Sequence, residues 1–328
     1  MSSVNYFIAK PEILKTSITN ICNYRCIMCY NSQLRHPSGL MEEDLFRQIV
    51  DQCLEAEIGQ LSLGATGEPL LHPRYLDFLR LAKQHGLWVS STTNATRLDA
   101  PMAESMIMLG LNRLNLSIYS TNPQEHKRYT GTDTFTQVFE NIREFLRLWS
   151  ESDRAMQVNM WFLPLPGINS YEKHLSFWKP LVDKVGLEIT HQLPLNWSGL
   201  VAFGGGKRIS LRSDNGTWSL FVGRRQPCPD IRSYLHILHT GDVLPCCNVP
   251  EPDIAGKLLF GNIGNDKVLD IWRSKKYTSF KKAHARKAVA DYPDCRRCSQ
   301  VWRHWRVQLF PKRHFKRWMW AVKSMNSM

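Results

Sequence analysis

The chain has 328 residues, 43% hydrophobic and 22% charged, which suits a globular protein with room for one barrel-sized domain or two smaller ones. No apolar run reaches the length of a membrane span, and the N-terminal MSSVNYFIAKPEIL lacks the long apolar core of a cleavable signal, so a cytoplasmic location is expected. A net charge of +13, from 42 basic and 29 acidic residues, points to an anionic partner: a phosphorylated substrate, nucleic acid or a membrane surface.

Nine cysteines in such a chain argue for reduced thiols and metal binding rather than disulfides. Three of them, Cys22, Cys26 and Cys29, form C-x3-C-x2-C just after the apolar run Ile13, Leu14, Ile18 and Ile21. Thiolates this close can converge on one metal centre, and soft thiolates favour iron–sulfur clusters, zinc or copper(I). A structural zinc or an ordinary electron-transfer cluster takes four protein ligands. A set that stops at three leaves one position open for a substrate or cofactor.

Downstream, Met41 to Ile58 carries Leu45, Ile49, Cys53 and Ala56 in one stripe and predicts an amphipathic helix, with Cys53 as a small core residue rather than a ligand. Leu61 and Leu63 alternate as in a strand that runs into the loop Gly64 to Pro69. Tyr75 to His85 reads as a helix, Leu87 to Thr92 as a strand ending at Thr93-Asn94, Met102 to Leu109 as a helix and Leu114 to Ile118 as a strand carrying Ser117. The alternation continues with a helix over Thr136 to Trp149, a strand over Met156 to Leu163, a helix over Tyr171 to Val185 and a strand over Leu187 to His191. Such alternation predicts an α/β fold with a parallel sheet covered by helices. In barrels of this class functional groups gather at the carboxyl ends of the strands, where the cysteine loop, Gly67, Glu68, Asn94 and Ser117 all fall. The glycine-rich stretch from Pro194 to Trp218 reads as a linker or a mobile loop, and Gly204-Gly205-Gly206-Lys207-Arg208 lacks the following helix of a phosphate-binding loop.

A second cysteine set comprises Cys228, Cys246 with its neighbour Cys247, and the pair Cys295 and Cys298. Its first part has the form C-x12-G-x4-C, with a hairpin expected to turn at Thr240-Gly241-Asp242. Together with the later C-x2-C it can close a four-thiolate site, for a cluster or for zinc. Chemistry does not choose between Cys246 and Cys247, although the x4 spacing favours Cys246. From Val301 onward there are seven Lys or Arg and no acid. There Phe315, Trp318, Met319, Val322 and Met325 share one helical face, the pattern of a basic helix that lies in a membrane interface or packs on the barrel; no motif supports a nucleic-acid partner.

The spacing of Cys22, Cys26 and Cys29 resembles the radical S-adenosylmethionine (SAM) superfamily, with Met28 standing where an aromatic residue is usual. The resemblance implies a partial (β/α)6 barrel of the TIM type, a [4Fe–4S] cluster on those cysteines, and SAM on the fourth iron. Gly67-Glu68-Pro69 matches the second half of the family's GGEP loop, with Thr66 at the first glycine, which implies that Gly67 and Glu68 receive the SAM amino group. Asn94 and Ser117 are the implied neighbours of its carboxylate and ribose. The second cysteine set, with its GNI…IW segment, resembles the SPASM/Twitch extension. The full SPASM form needs seven cysteines, so the shorter Twitch form is implied, with one auxiliary [4Fe–4S] cluster on Cys228, Cys246, Cys295 and Cys298. Cys247 is then left over, either buried or facing substrate as a hydrogen donor.

The expected organisation is a core barrel over 12–200, a linker over 201–227, an auxiliary-cluster domain over 228–300 and a basic aromatic tail over 301–328. The implied chemistry is reductive cleavage of SAM to a 5′-deoxyadenosyl radical, followed by hydrogen abstraction that dehydrogenates or epimerises a small or lipid-linked anionic saccharide. About a dozen residues precede the core, so no fused peptide-recognition domain is expected. A maturase of peptides or proteins and a non-enzymatic metal-binding scaffold are the alternatives. Expected partners are a reductant such as flavodoxin or ferredoxin, the substrate, and the inner membrane surface through the tail.

Overall fold

A computed structural model describes residues 7–33, 38–163, 169–187, 189–191, 209–214, 217–225, 228–249, 256–298 and 302–311. Strands β1 (Ile13–Thr16), β2 (Gln60–Leu63), β3 (Trp88–Thr93), β4 (Arg113–Ser117), β5 (Gln157–Phe162) and β6 (Ile189–His191) pair in chain order and in parallel. Between them run α1 (Glu43–Glu55), α2 (Tyr75–Gln84), α3 (Ala100–Met108), α4 (Pro123–Thr130), α5 (Phe135–Glu151) and α6 (Tyr171–Val182). This is the expected partial (β/α)6 barrel.

Two periodicities build it. Along the strands, alternate residues such as Leu14, Leu61, Leu63, Val89, Leu114, Leu116, Val158 and Met160 are buried in the core. On the helices a 3.6-residue stripe meets them: α1 buries Phe46, Ile49, Val50 and Cys53, and Phe46 stacks on Phe78 of α2 at 4.1 Å. Cys53 is fully buried, as expected of a core residue. Helix α4 was not expected, because its sequence PQEHKRYT is almost wholly polar; only His126, Tyr129 and Thr130 are buried. It is fixed at its ends instead, by Asn122 accepting from Glu125 N at 2.9 Å and by Gly131 at φ 76°.

Beyond β6 lie β7 (Ile209–Asp214), β8 (Thr217–Arg225), α7 (Asp230–Ser233), β9 (Tyr234–Ile237), β10 (Asp242–Leu244), β11 (Gly261–Asn262), α8 (Val268–Arg273), α9 (Lys275–Ala285), α10 (Pro293–Arg297) and β12 (Trp302–Pro311). The expected linker therefore needs correcting in its described part: β7 and β8 form an antiparallel pair, and β12 adds to β8. Ile209 and Leu211 alternate before Asn215-Gly216, and Trp218, Leu220 and Val222 after it, a tight-hairpin pattern that outweighs the nearby glycines. The helical face over 315–325 lies outside the described residues.

Strand β9 pairs in parallel with β1 on the edge opposite β2, and β10 and β11 follow antiparallel. The main sheet thus runs β11-β10-β9-β1-β2-β3-β4-β5-β6. The turn between β9 and β10 falls at the expected Thr240-Gly241-Asp242. Behind it Phe260, Trp272, Tyr277 and Phe280 form an aromatic cluster, with the Phe260 and Tyr277 rings 4.8 Å apart. Among the described residues, no helix is long and apolar enough to cross a membrane.

Candidate active site

The loop that leaves β1 carries Cys22, Cys26 and Cys29, and helix α4 holds it from one side. The last carbonyls of a helix have no partner within it. Here Thr130 O accepts from Arg25 N at 2.8 Å and Tyr129 O from Ile27 N at 3.0 Å. Tyr24 Oη lies 3.2 Å from His126 Nε2, and Asn23 Nδ2 donates to Thr96 Oγ1 at 2.8 Å. Two backbone N–H groups already point at sulfur: Tyr24 N at Cys22 Sγ and Asn31 N at Cys29 Sγ, both 3.4 Å.

Burial pushes the Cys22 thiol up to about 12, with the neighbouring charges of Glu68 and Cys29 adding to it. Cys26 is raised by burial and then by Cys29 and Cys22, and Cys29 by burial. Three thiols whose ionisation is mutually opposed become thiolates readily only around a cation, so they suit a metal centre. Among the described residues no three His, Cys, Asp or Glu side chains converge closely enough for a single metal ion. A set of three soft thiols, with two backbone N–H groups directed at their sulfurs, suits the ligands of an iron–sulfur cluster that keeps one iron open.

Gly67 and Glu68 sit directly against that loop. Gly67 has φ +68°, and a Cβ there would lie 2.5 Å from Thr19 O and 2.8 Å from Ile21 O, so only glycine allows the approach. Glu68 N donates to Ile21 O at 2.8 Å. The Glu68 carboxylate is buried and accepts from Thr93 Oγ1 (2.7 Å), Asn94 N (2.7 Å) and Leu70 N (3.2 Å). A carboxylate offers about four lone-pair positions, so one remains on Oε2 for a ligand cation. Burial outweighs these donors and pushes its pKa up to about 7.

Asn94 is more committed to the protein than expected. Its Nδ2 donates to Asn23 Oδ1 at 2.9 Å, and its Oδ1 accepts from Thr96 N (3.0 Å) and Thr96 Oγ1 (2.7 Å). It ties the end of β3 to the cysteine loop as well as lining the site. Ser117, at the end of β4, lines the site half-buried.

Cys22, Cys26, Cys29, Gly67, Glu68, Asn94 and Ser117 all line one cavity of about 500 Å³ that runs down the barrel. In a (β/α)8 barrel the interior is filled by bulky apolar side chains. Here the inward register is polar: Lys15, Ser62, Ser90, Thr92, Arg113 and Asn115 line the lumen, with the Trp88 and Trp161 rings among them. Lys15, Arg113 and the polar lining between them were missed in the sequence, although on β2 and β4 they alternate with Leu61, Leu63, Leu114 and Leu116.

The second cysteine set lies across the β1 edge. Cys228, Cys246, Cys295 and Cys298 are all buried. Burial raises the Cys246 thiol, with Cys228, Asp230, Cys247 and Cys295 contributing; Cys228 is raised by burial, Asp230 and Cys298. Cys246 therefore feels two of its expected co-ligands, and Cys228 feels the remaining one. Cys247 is placed differently. It is half-buried, lines the lumen with Asn248, and has its Sγ 3.5 Å from Tyr234 Oη.

Comparison with known proteins agrees with this geometry. The family model described as radical SAM superfamily matches residues 16–175, and SPASM, an iron–sulfur cluster-binding domain, matches residues 228–299. A tungsten-containing aldehyde ferredoxin oxidoreductase cofactor-modifying protein of Pyrococcus furiosus is 24% identical over 318 residues, 88% of this chain and 87% of that one. A probable GTP 3',8-cyclase of Thermococcus kodakarensis is 31% identical over 148 residues, 44% of this chain and 47% of that protein, so the likeness spans about half of it. Among solved structures, BtrN in complex with AdoMet and 2-DOIA shares the fold with TM-score 0.58 at 18% identity, over 88% of this chain and 93% of that one. Streptococcus suis SuiB bound to precursor peptide SuiA does so with TM-score 0.63 at 12% identity, over 84% and 67%. With the two family matches falling on the two cysteine sets, the chain belongs to the radical SAM superfamily, with SAM and a [4Fe–4S] cluster as cofactors and an iron–sulfur-binding SPASM domain at its C-terminal side.

Proposed function

We propose that this protein epimerises a small, anionic, saccharide-type substrate bound in the barrel lumen, with Cys247 returning hydrogen to the carbon that loses it. The observation that carries this reading is the split between neighbours: Cys246 lies buried among the second cysteine set while Cys247 lines the lumen. In this reading Cys22, Cys26 and Cys29 hold the catalytic cluster. Cys228, Cys246, Cys295 and Cys298 hold the auxiliary one. Gly67 and the free lone pair of Glu68 receive the SAM amino group, and Asn94 and Ser117 flank the rest of the cofactor. When bound, the cluster and SAM supply a 5′-deoxyadenosyl radical able to take a hydrogen atom from an unactivated C–H bond.

The lumen's hydroxyls, amides and two cations fit a hydroxylated anion. Cys247 then gives up its S–H hydrogen atom as the new C–H bond forms. Its sulfur is restored by one electron and one proton, the electron coming from a reductant of the flavodoxin or ferredoxin type. A second reading, dehydrogenation, is favoured by the position of the lumen beside both cysteine sets, which gives a substrate electron a short route out.

Anaerobic reconstitution tests the enzyme itself. About eight irons per chain, for two four-iron clusters, and 5′-deoxyadenosine on addition of dithionite are expected. Zinc bound in their place, with no deoxyadenosine, would sink the proposal. Incubation with phosphorylated sugars in D2O separates the two readings. An isomeric product carrying one deuterium, lost in Cys247→Ala, marks the epimerase; a product short of two hydrogens marks the dehydrogenase.

A further inference from the structure

We infer that one layer of the lumen, formed by Lys15, Ser62, Ser90 and Arg113, is a phosphate-binding subsite that takes the phosphate or diphosphate of the substrate; this rests on the reading of the lumen as the substrate site. Strand register puts the four residues in a single row across four strands: Lys15 pairs with Ser62, Ser62 with Ser90, and Ser90 with Arg113. All four line the cavity. The row offers a cation at each end and two hydroxyl donors between them. It contains no carboxylate. Glu68, at the mouth, is the one acidic residue in the described cavity lining, and Asp230, whose ionisation Lys15 favours, lies outside it.

Each cation is held in place without a direct ion pair, with Asp230 as the acidic neighbour that Lys15 acts on. Arg113 donates Nε and Nη2 to Gln157 Oε1 at 3.0 and 2.7 Å, and its Cζ lies 4.7 Å from the Trp88 ring centroid. That grip leaves Nη1 to face a ligand. Lys15 Nζ sits 3.7 Å over the Tyr234 ring, and neither cation makes an ion pair among the described residues. Both side chains are half-buried, so an anion seated between them meets two positive charges with little competing protein charge. Arg, Lys and hydroxyl donors together match the tetrahedral oxygens of a phosphate. Arg113 stands four residues before Ser117 on β4, which places the subsite about 13 Å below the SAM end of the lumen, room for a sugar or nucleoside between phosphate and reacting carbon.

Titration calorimetry of the anaerobically reconstituted holoenzyme with inorganic pyrophosphate tests the subsite. Saturable binding is expected, weakened about tenfold or more in Arg113→Gln and in Lys15→Met, and partly kept in Arg113→Lys. Iron content and circular dichroism of each variant check that it has folded. Pyrophosphate that fails to bind, or that binds the Lys15→Met/Arg113→Gln double variant as well as the wild type, overturns the inference. Deoxyadenosine formation by the wild type, measured in parallel, keeps the two readings apart. If it occurs without pyrophosphate binding, the subsite alone fails; if it does not occur, the enzymatic reading fails and the titration still decides whether the row binds phosphate.

Discussion

Ser17 Oγ lies 2.6 Å from His236 Nε2, joining the residue after β1 to strand β9. Thr66 donates to the same oxygen from its N (3.0 Å) and its Oγ1 (2.6 Å), so the Ser17 proton is directed to the imidazole. Burial holds that imidazole neutral, with its pKa pushed down to about 3, and Nε2 is therefore the acceptor. The loop bearing Gly67 and Glu68 is thus registered, through one hydroxyl, against the strand that leads to Cys246 and Cys247. Replacing Ser17 by Ala strands two donors and one acceptor in the interior. A loss of about 1–3 kcal/mol in denaturant unfolding is expected, together with weaker SAM binding. Unchanged SAM affinity would show that the bond is structural only.

Three buried imidazoles make the fold sensitive to acid. Burial pushes His174 and His236 down to about 3 and His126 down to about 4, from an ordinary 6.5. For a base with a depressed folded pKa, the unfolded chain binds more protons below 6.5, so stability falls as pH drops from there towards 4. Glu68 acts in the opposite sense, because its raised pKa lets the folded state keep a proton between 4.5 and about 7. The imidazoles outnumber it. Between pH 6.5 and 4.5, unfolding midpoints of the metal-free protein should fall steadily, with a net uptake of about two protons on unfolding.

Glu68 also predicts a pH dependence for the cofactor. At pH 6 a carboxyl with a pKa of about 7 is mostly protonated and pairs poorly with an ammonium group. SAM affinity should therefore rise by up to about tenfold per pH unit from 5.5 to 7, below the ~7.7–8.0 at which an α-amino group itself begins to lose its proton. Equilibrium dialysis of Glu68→Gln should show weaker binding and a flat profile over the same range.

Cys246 and Cys247 should part company under substitution. Cys246→Ser is expected to lose about four irons per chain, while Cys247→Ser keeps the full complement with unchanged spectra of both clusters. Iron loss in both variants would mean that the two thiols share the ligand role.

Gly67→Ala should be among the most damaging single-methyl changes. Its Cβ meets two backbone carbonyls below 3.0 Å, at a φ that disfavours side chains, and the carbonyls belong to residues just ahead of Cys22. A cost of about 1–3 kcal/mol in stability is expected, with SAM binding impaired and Cys22 displaced, visible as lower iron occupancy.

The alternation of strands and helices and both cysteine sets were legible in the sequence, because each depends on local period or fixed spacing. What escaped was non-local or capped. Nothing along the chain announces that Tyr234–Ile237 docks beside Ile13–Thr16, since parallel pairing across more than 200 residues leaves no local mark. Helix α4 has no apolar stripe to read. The β7–β8 pair did carry a signal in Asn215-Gly216, obscured by the triple glycine before it. Asn94 shows a role the sequence did not announce: besides lining the cavity, it makes three hydrogen bonds that hold the protein's own loops.

The place of β9 beside β1 bears on how the molecule can be taken apart. An unpaired strand edge is a template for association with other chains. A fragment ending near residue 200 would leave the hydrogen-bonding edge of β1 bare, at the foot of the loop that carries the catalytic cysteines. Such a fragment should aggregate or swap strands rather than behave as a small radical enzyme, and supplying the 228–298 segment in trans should restore its solubility by strand addition.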